Sequence, residues 1–395
     1  MTTAARDVPA PPPDAPVRVD ADRGAWLVTG YDEAVGVLLD TGTFSNVNCI
    51  GIASFEDAAP EVQAVLRQGF ERFPGMVELD PPVHTRYRTL VNLAFTPRRV
   101  AAYEPRIREL ADGLIDAFPA GRVEFMRAFA LPLPGAVIGE VLGLPAADMP
   151  MLQHLSDAFK TLEAGTLASL SLGEQLETAR DFVRFQHYAR EVVEERRRTP
   201  GDDLISSVIQ DGMALAEPLS LVEEISMVIH LIFAGQETTV MLLGGMMLLL
   251  MTHRDQWQAL CARPELIPGA VEESLRCEPP VLYHQRRTTK PARIGAVEIP
   301  AGEDVHVVFA AANRDARRFP DPDRFDVARG DAGRHLSFGR GVHFCVGAPL
   351  ARLEAKVTLE QLTSRLPELR LATGTTPPRD PHEMLSGLTR LELEW

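Results

Sequence analysis

"FGRGVHFCVGAPLARLE", residues 338–354, sets one cysteine among three glycines, directly ahead of a helical stretch. Gly339, Gly341 and Gly347 flank Cys345. Glycine admits backbone conformations and close approaches that other residues resist. Pro349, two residues after Gly347, suits the first turn of a helix. Cys345 then lies near a helix N-terminus, where unpaired N–H groups and the helix dipole favour a thiolate. A thiolate held this way is a metal ligand or a nucleophile. The plainer alternative is a free buried cysteine in a structural turn.

The rest of the chain narrows the choice. Its 395 residues contain four cysteines, Cys49, Cys261, Cys277 and Cys345, at long and irregular spacings. No CxxC or Cys/His zinc pattern is present, and a disulfide scaffold is not expected at this size, so a reducing, cytoplasmic setting is expected. Residues 1–20 lack the apolar core of a signal peptide and read as an irregular lead-in to a catalytic domain over 21–395. With 55 acidic and 40 basic residues the net charge is -15, which argues against nucleic acid as the main partner. The longest apolar run, 240–251, is well short of the roughly 20 residues a bilayer span needs, so no membrane partner is expected.

Helical spacing is expected over 59–70, 96–118, 123–142 (interrupted by Pro132 and Pro134), 172–198, 268–277 and 348–366, with a short helix in "GDDLISSVI". Extended segments are expected over 283–289, 293–299 and 304–309, and a Pro/Asp-rich meander over 319–325. The fold class is mainly α with a minor β region.

The longest expected helix, 219–252, is apolar nearly all round in its second half, so it runs through a core. "LIFAGQETTV" interrupts it with Gly235, Glu237, Thr238 and Thr239. Buried charge is costly unless paired or useful, and threonine hydroxyls bond to carbonyls one turn back. A functional segment and a solvated polar stripe are both open on this reading. Glu273 and Arg276 in "EESLR" are three apart and His84 and Arg88 in "DPPVHTRYR" four apart, so each pair shares a helix face. Alone, each pair is compatible with a surface pair.

The cysteine loop resembles the haem-binding loop of the cytochrome P450 superfamily, Phe-x-x-Gly-x-His-x-Cys-x-Gly. Phe338, Gly341, His343, Cys345 and Gly347 stand in its places. "AGQET" is similar to that family's oxygen-activation segment, through Ala234, Gly235, Glu237 and Thr238. The likeness extends from about residue 30 to 391, and its wording is that of the soluble bacterial class. Two local departures are Pro291, where many relatives have an acid, and Arg340, where a small residue or histidine is frequent.

The resemblance implies the P450 fold, a triangular prism-like single domain, with haem b as cofactor. Cys345 would be the axial thiolate, which pushes electron density to the iron and favours O–O cleavage. Phe338 would pack near the sulfur. His84, Arg88, Arg286 and His343 would meet the haem propionates, with His335 nearby. Gly235 would leave room for dioxygen, Thr238 would hydrogen-bond that oxygen or its water, and Glu237 would feed protons. Glu273 and Arg276 would lock to a meander arginine, Arg324, as a structural triad.

The same resemblance implies a monooxygenase that puts one oxygen atom of O2 into a mid-sized hydrophobic molecule. The competing readings are oxidative ring closure or aryl coupling, a hydrogen peroxide-dependent peroxygenase, and a non-enzymatic haem sensor. The Glu237–Thr238 pair weighs against the last two. Electrons would pass from NAD(P)H through a separate ferredoxin reductase and ferredoxin, with Arg98, Arg99, Arg340 and Arg352 offering positive charge for docking. A monomer is the default. Pocket contacts are expected from Phe73, Met76 and Val77 before "DPPVH" and from Leu162 and Leu167. His230 and Phe233 are expected from the long helix, Leu282 and Tyr283 from the strand region, and Leu385 from the C-terminal loop. His230 is expected to anchor a polar group of the substrate.

Overall fold

The computed structural model describes residues 15–47, 49, 58–92, 95–163, 166–380 and 382–395. Most of the expected lead-in, 1–14, lies outside the described residues. Its end is not irregular: Val17–Asp20 is a strand, paired antiparallel with Ala25–Val28. Helix makes up 56% of the chain and strands are short, so the mainly-α reading holds. By its internal contacts the chain divides into two compact units. The first comprises Met1–Asn46, Pro97–Pro134 and Glu237–Trp395; the second comprises Val47–Thr96 and Gly135–Gln236.

The first unit carries the sheets. A five-stranded sheet runs in the order Val17–Asp20, Ala25–Val28, Asp304–Val307, His284–Thr288, Phe44–Ser45. Its central pair, Ala25–Val28 with Asp304–Val307, is parallel and its other pairs are antiparallel. Val28, Val305, Val307, Phe309, Phe319 and Leu336 bury their side chains in the cluster beside it. The expected extended segment 293–299 is a hairpin, Ala292–Ile294 with Val297–Ile299, folded at Gly295, whose φ is +60°. A side chain resists that left-handed conformation.

Pro132 does not interrupt a helix; it begins one. The helix Pro132–Leu142 follows a π-helical turn, Met126–Ala130, and a strand, Arg122–Glu124. The two prolines sit in its first turn, where N–H groups have no intrahelical partner anyway. The expected 96–118 helix is two, Pro97–Ala102 and Glu104–Asp116, with Pro105 opening the second.

The second unit is helical. Leu172–Arg198 packs against Pro60–Leu66, Met149–Glu163 and Leu204–Met213. Ser171 starts it with a capping box, its Oγ accepting from the Glu174 N–H while Glu174 reaches back to the Ser171 N–H. Leu221–Thr252 is long and apolar enough to cross a membrane by length and composition, but 61% of its most apolar window is buried within the protein. That is the burial of a core helix.

Candidate active site

In the first unit, the cysteine loop is built on backbone turns. The Cys345 N–H donates to Phe338 O at 2.9 Å, and Gly339 N–H to Leu336 O at 2.7 Å. Gly339 and Gly341 have φ of +68° and +72°. A Cβ on Gly341 would lie 2.9 Å from the Leu38 carbonyl oxygen, so both conformation and space require glycine there. The helix Ala348–Arg365 follows at once, with Pro349 in its first turn. Phe338, His343, Cys345 and Gly347 are all half-buried.

A polar clamp sequence reasoning missed braces this loop. Arg352, one turn into that helix, lies 4.6 Å over the Phe338 ring and holds Glu272 with both ends of its guanidinium, at 2.7 and 2.8 Å. His335 Nε2 is 3.4 Å from the same carboxylate. Burial pushes the Glu272 carboxyl up, but the Arg352 hydrogen bonds, with His335 close by, outweigh it and bring it down to about 2. Two expectations change as a result. Arg352 is committed to Glu272 instead of being offered for docking, and His335 faces Glu272.

Glu273 and Arg276 form a fully buried, bidentate pair at 2.7 and 2.8 Å. The third member is Arg329 instead of Arg324. Arg329 Nε donates to Glu273 Oε1 at 3.0 Å and its other nitrogens to Pro320, Asp321 and Arg324 carbonyls. The Arg324 side chain is 65% exposed and lies 3.5 Å from Asp326; only its carbonyl takes part, accepting from Arg276. The signal was the second arginine of "RFDVAR", which an irregular meander gave no periodicity to rank.

Strand alternation resolves the neighbouring arginines of His284–Thr288. Arg286 is buried while Arg287 is exposed beside Asp304. Arg286 donates to Gln285 O at 2.7 Å and lies 3.2 Å from His284 Nδ1. Burial, helped by the Arg286 charge, lowers His284 to about 3, so it is neutral.

The long helix Leu221–Thr252 is buried on one face through Ile232, Gln236, Thr239 and Val240. On its other face Ala234 is exposed and Phe233, Glu237 and Thr238 are half-buried, although residues 224–229 and 239–247 around them are buried. Gly235 has a packing reason: a Cβ there would come 2.5 Å from Ile138 Cδ1. The small residue on the accessible face is Ala234.

In the second unit, His84 and Arg88 share the helix Val83–Asn92. His84 is buried, and desolvation followed by the Arg88 charge lowers its pKa. Arg88 is half-buried and donates to Asn92 Oδ1 at 2.8 Å. Phe73, Met76 and Val77 are half-buried in the segment ahead of it. Phe73 stacks on Tyr87 with centroids 5.9 Å apart. Leu162 and Leu167 are buried.

His230, the expected polar anchor, is oriented through its Nδ1. Its Nδ1 lies 2.7 Å from the Ser226 carbonyl oxygen, which only accepts, so Nδ1 carries the proton. Its buried Nε2 and Cδ2 edge lies against Gly75, where a Cβ would come to 2.3 Å. Ser226 Oγ also donates to Phe73 O at 2.7 Å, and buried Glu78 is held by Arg72. His230 is part of the seat of the 71–78 segment. Three more of the expected pocket residues belong to the first unit. Leu282 packs with Leu27, Val308, Ala310 and Ala311, Tyr283 stacks on His306 at 4.6 Å, and buried Leu385 bridges Val281. The Leu282 N–H donates to Met384 O at 2.8 Å.

In the first unit a half-buried cysteine stands in a glycine-built loop ahead of a helix, and Arg286 is a buried guanidinium; in the second unit His84 is a buried imidazole. A cysteine so placed is suited to hold a metal, and buried cationic and imidazole groups are suited to hold carboxylates. The class this chemistry suits is a haem-thiolate oxidoreductase. Comparison with known proteins gives the family. The Cytochrome P450 family model matches residues 256–394. The chain is 38% identical to cytochrome P450 monooxygenase PikC of Streptomyces venezuelae, over 96% of this chain and 87% of that one. It is 37% identical to mycinamicin IV hydroxylase/epoxidase of Micromonospora griseorubida, over 97% and 92%. Among solved structures it resembles cytochrome P450 CREJ in complex with (4-ethylphenyl) dihydrogen phosphate, with a TM-score of 0.89 and 31% identity, over 97% of this chain and 94% of that one. The chain belongs to the cytochrome P450 family.

It is therefore a monooxygenase that inserts one oxygen atom of O2 into a hydrophobic small molecule. Its cofactor is haem b, and its electrons come indirectly from NAD(P)H through redox partners.

Proposed function

We propose that Cys345 is the thiolate that holds the haem iron, and that Arg286, His84, Arg88 and His343 bind its propionates. Haem supplies dioxygen activation and transfer of one oxygen atom to the substrate. The chain's residues supply the rest. Ala234 leaves space on the accessible face of the long helix. Thr238 hydrogen-bonds oxygen or its water there, and Glu237, four residues from Phe233, moves protons from solvent toward Thr238. Two electrons and two protons per turnover give one hydroxylated product and one water. The observation that carries this reading is the exposed Ala234, with half-buried Glu237 and Thr238, midway along an otherwise buried helix.

Relatives that act on macrolides and secosteroids support a mid-sized, largely apolar substrate, hydroxylated or epoxidised. Phe73, Met76, Val77 and Phe233 suit such a ligand, as a mostly apolar pocket requires. The electron donors in this reading are a ferredoxin and its reductase, and the protein is a cytoplasmic monomer. Exposed Arg98 and Arg99, with Arg340, remain the docking charges after Arg352 is set aside.

The test is a titration of the ferric holoprotein with macrolides, secosteroids, terpenoids, fatty acids and small aromatics, read in the Soret band. A blue shift with macrolides or secosteroids, followed by one-oxygen products, is expected. Saturating shifts with only fatty acids or small aromatics would overturn the substrate class.

A further inference from the structure

The first unit has a cavity of about 190 Å³ that none of these roles uses. It is lined at the end of the Ile267–Cys277 helix and just beyond it, up to Leu282, by Ala310 and Arg314, and by Arg379 and Ser386 of the C-terminal segment. Its size exceeds the roughly 150 Å³ that admits a benzene-sized molecule. Its lining is not that of an apolar pocket, because two guanidinium groups and a hydroxyl face it.

The charges there are unequally matched. Arg379 is paired with Glu278, Nη1 at 2.9 Å and Nη2 at 3.2 Å, and its Nη1 also donates to Ser386 Oγ at 3.2 Å. Arg314 gives one hydrogen bond to Cys277 O at 2.9 Å. Its acidic neighbour, Asp323, is 3.5 Å away with a side chain 84% exposed. Solvent screens such a pair heavily. The lining thus sets two guanidinium groups against one carboxylate, Glu278, and the Arg314 fork has donors to spare.

We propose that this cavity binds a small oxyanion, a phosphate or short carboxylate, gripped by Arg314 and completed by Ser386 and Arg379. The bound anion ties the end of the Ile267–Cys277 helix to Arg379 and Ser386, adding to links that include the Glu278–Arg379 pair and the Ser386 N–H to Pro280 O bond. A ligand of the folded state alone raises stability by RT ln(1 + [L]/Kd). The site would make stability respond to oxyanions independently of the oxygenase reaction.

The test uses the holoprotein in Tris chloride, heated with increasing inorganic phosphate or, separately, acetate. A saturable rise of about 2 °C in Tm is expected with at least one of them; which one acts tells phosphate from carboxylate. R314Q and S386A should flatten the rise, and chloride at equal ionic strength should not reproduce it. An equal rise in R314Q, an equal effect of chloride, or no saturable rise would overturn the proposal. Should R314Q fail to fold, crystals of the parent with selenate decide: anomalous density at Arg314 supports the site, and an empty cavity at saturating selenate overturns it.

Discussion

Arg329 closes the buried Glu273–Arg276 pair, its Nε 3.0 Å from Glu273 Oε1 with a side chain only 9% exposed. Removing one partner of such a group leaves a buried charge uncompensated, which costs about 3–5 kcal/mol. R329Q is expected to lose most of that in urea unfolding. R324Q should stay within about 0.5 kcal/mol, as exposed sites do. Equal losses from both would put Arg324 back in the triad.

Gly235 and Ile138 make a second coupled pair. G235A should cost about 1–3 kcal/mol through overpacking against Ile138. I138A in the same chain should recover part of that, giving a coupling energy of at least about 0.5 kcal/mol in a double-mutant cycle. Strict additivity would mean that close packing is not the reason for glycine.

Glu272 sets the acid limb of stability. Its folded pKa, about 2, is depressed below the ordinary 4.5. The stability this contributes, about 3 kcal/mol, is fully present above pH 4.5 and lost as pH falls toward 2. R352Q removes the main partner. It should destabilise the protein at neutral pH by about 2 kcal/mol and make the loss between pH 5 and 3 shallower. An unchanged acid limb in R352Q would contradict this.

Glu354 acts in the opposite sense. It is buried, Oε2 has no hydrogen-bond partner among the described residues, and desolvation pushes its pKa well above 4.5. The folded state then holds a proton that the unfolded chain releases, so stability falls as pH rises from 4.5 toward the folded pKa. E354Q should flatten that slope and be more stable than the parent at about pH 9 in chemical denaturation. A parent and variant with the same pH profile would show Glu354 to be ionised or solvated.

The features that the sequence made legible are those with local causes. The glycines and Pro349 around Cys345, the Ser171–Glu174 capping box and the apolar course of residues 221–252 each follow from neighbours in the chain. What escaped depends on distance. Val17–Asp20 is too short to show a period and is a strand through its partner. Choosing Arg329 over Arg324 requires the path of an irregular meander. The packing of the His230 ring edge against Gly75 joins residues far apart in sequence. Arg352 looked like surface charge because Glu272 lies 80 residues earlier in the chain.

The central claim is that the Cys345 thiolate holds the haem. The most direct measurement is the spectrum of the dithionite-reduced, carbon monoxide-bound protein, for the parent and for C345H. The parent should show the red-shifted Soret band that a thiolate opposite carbon monoxide gives, and C345H the shorter-wavelength band of an imidazole-ligated haem. A parent without the red-shifted band, or a C345H protein that keeps it, would contradict the assignment.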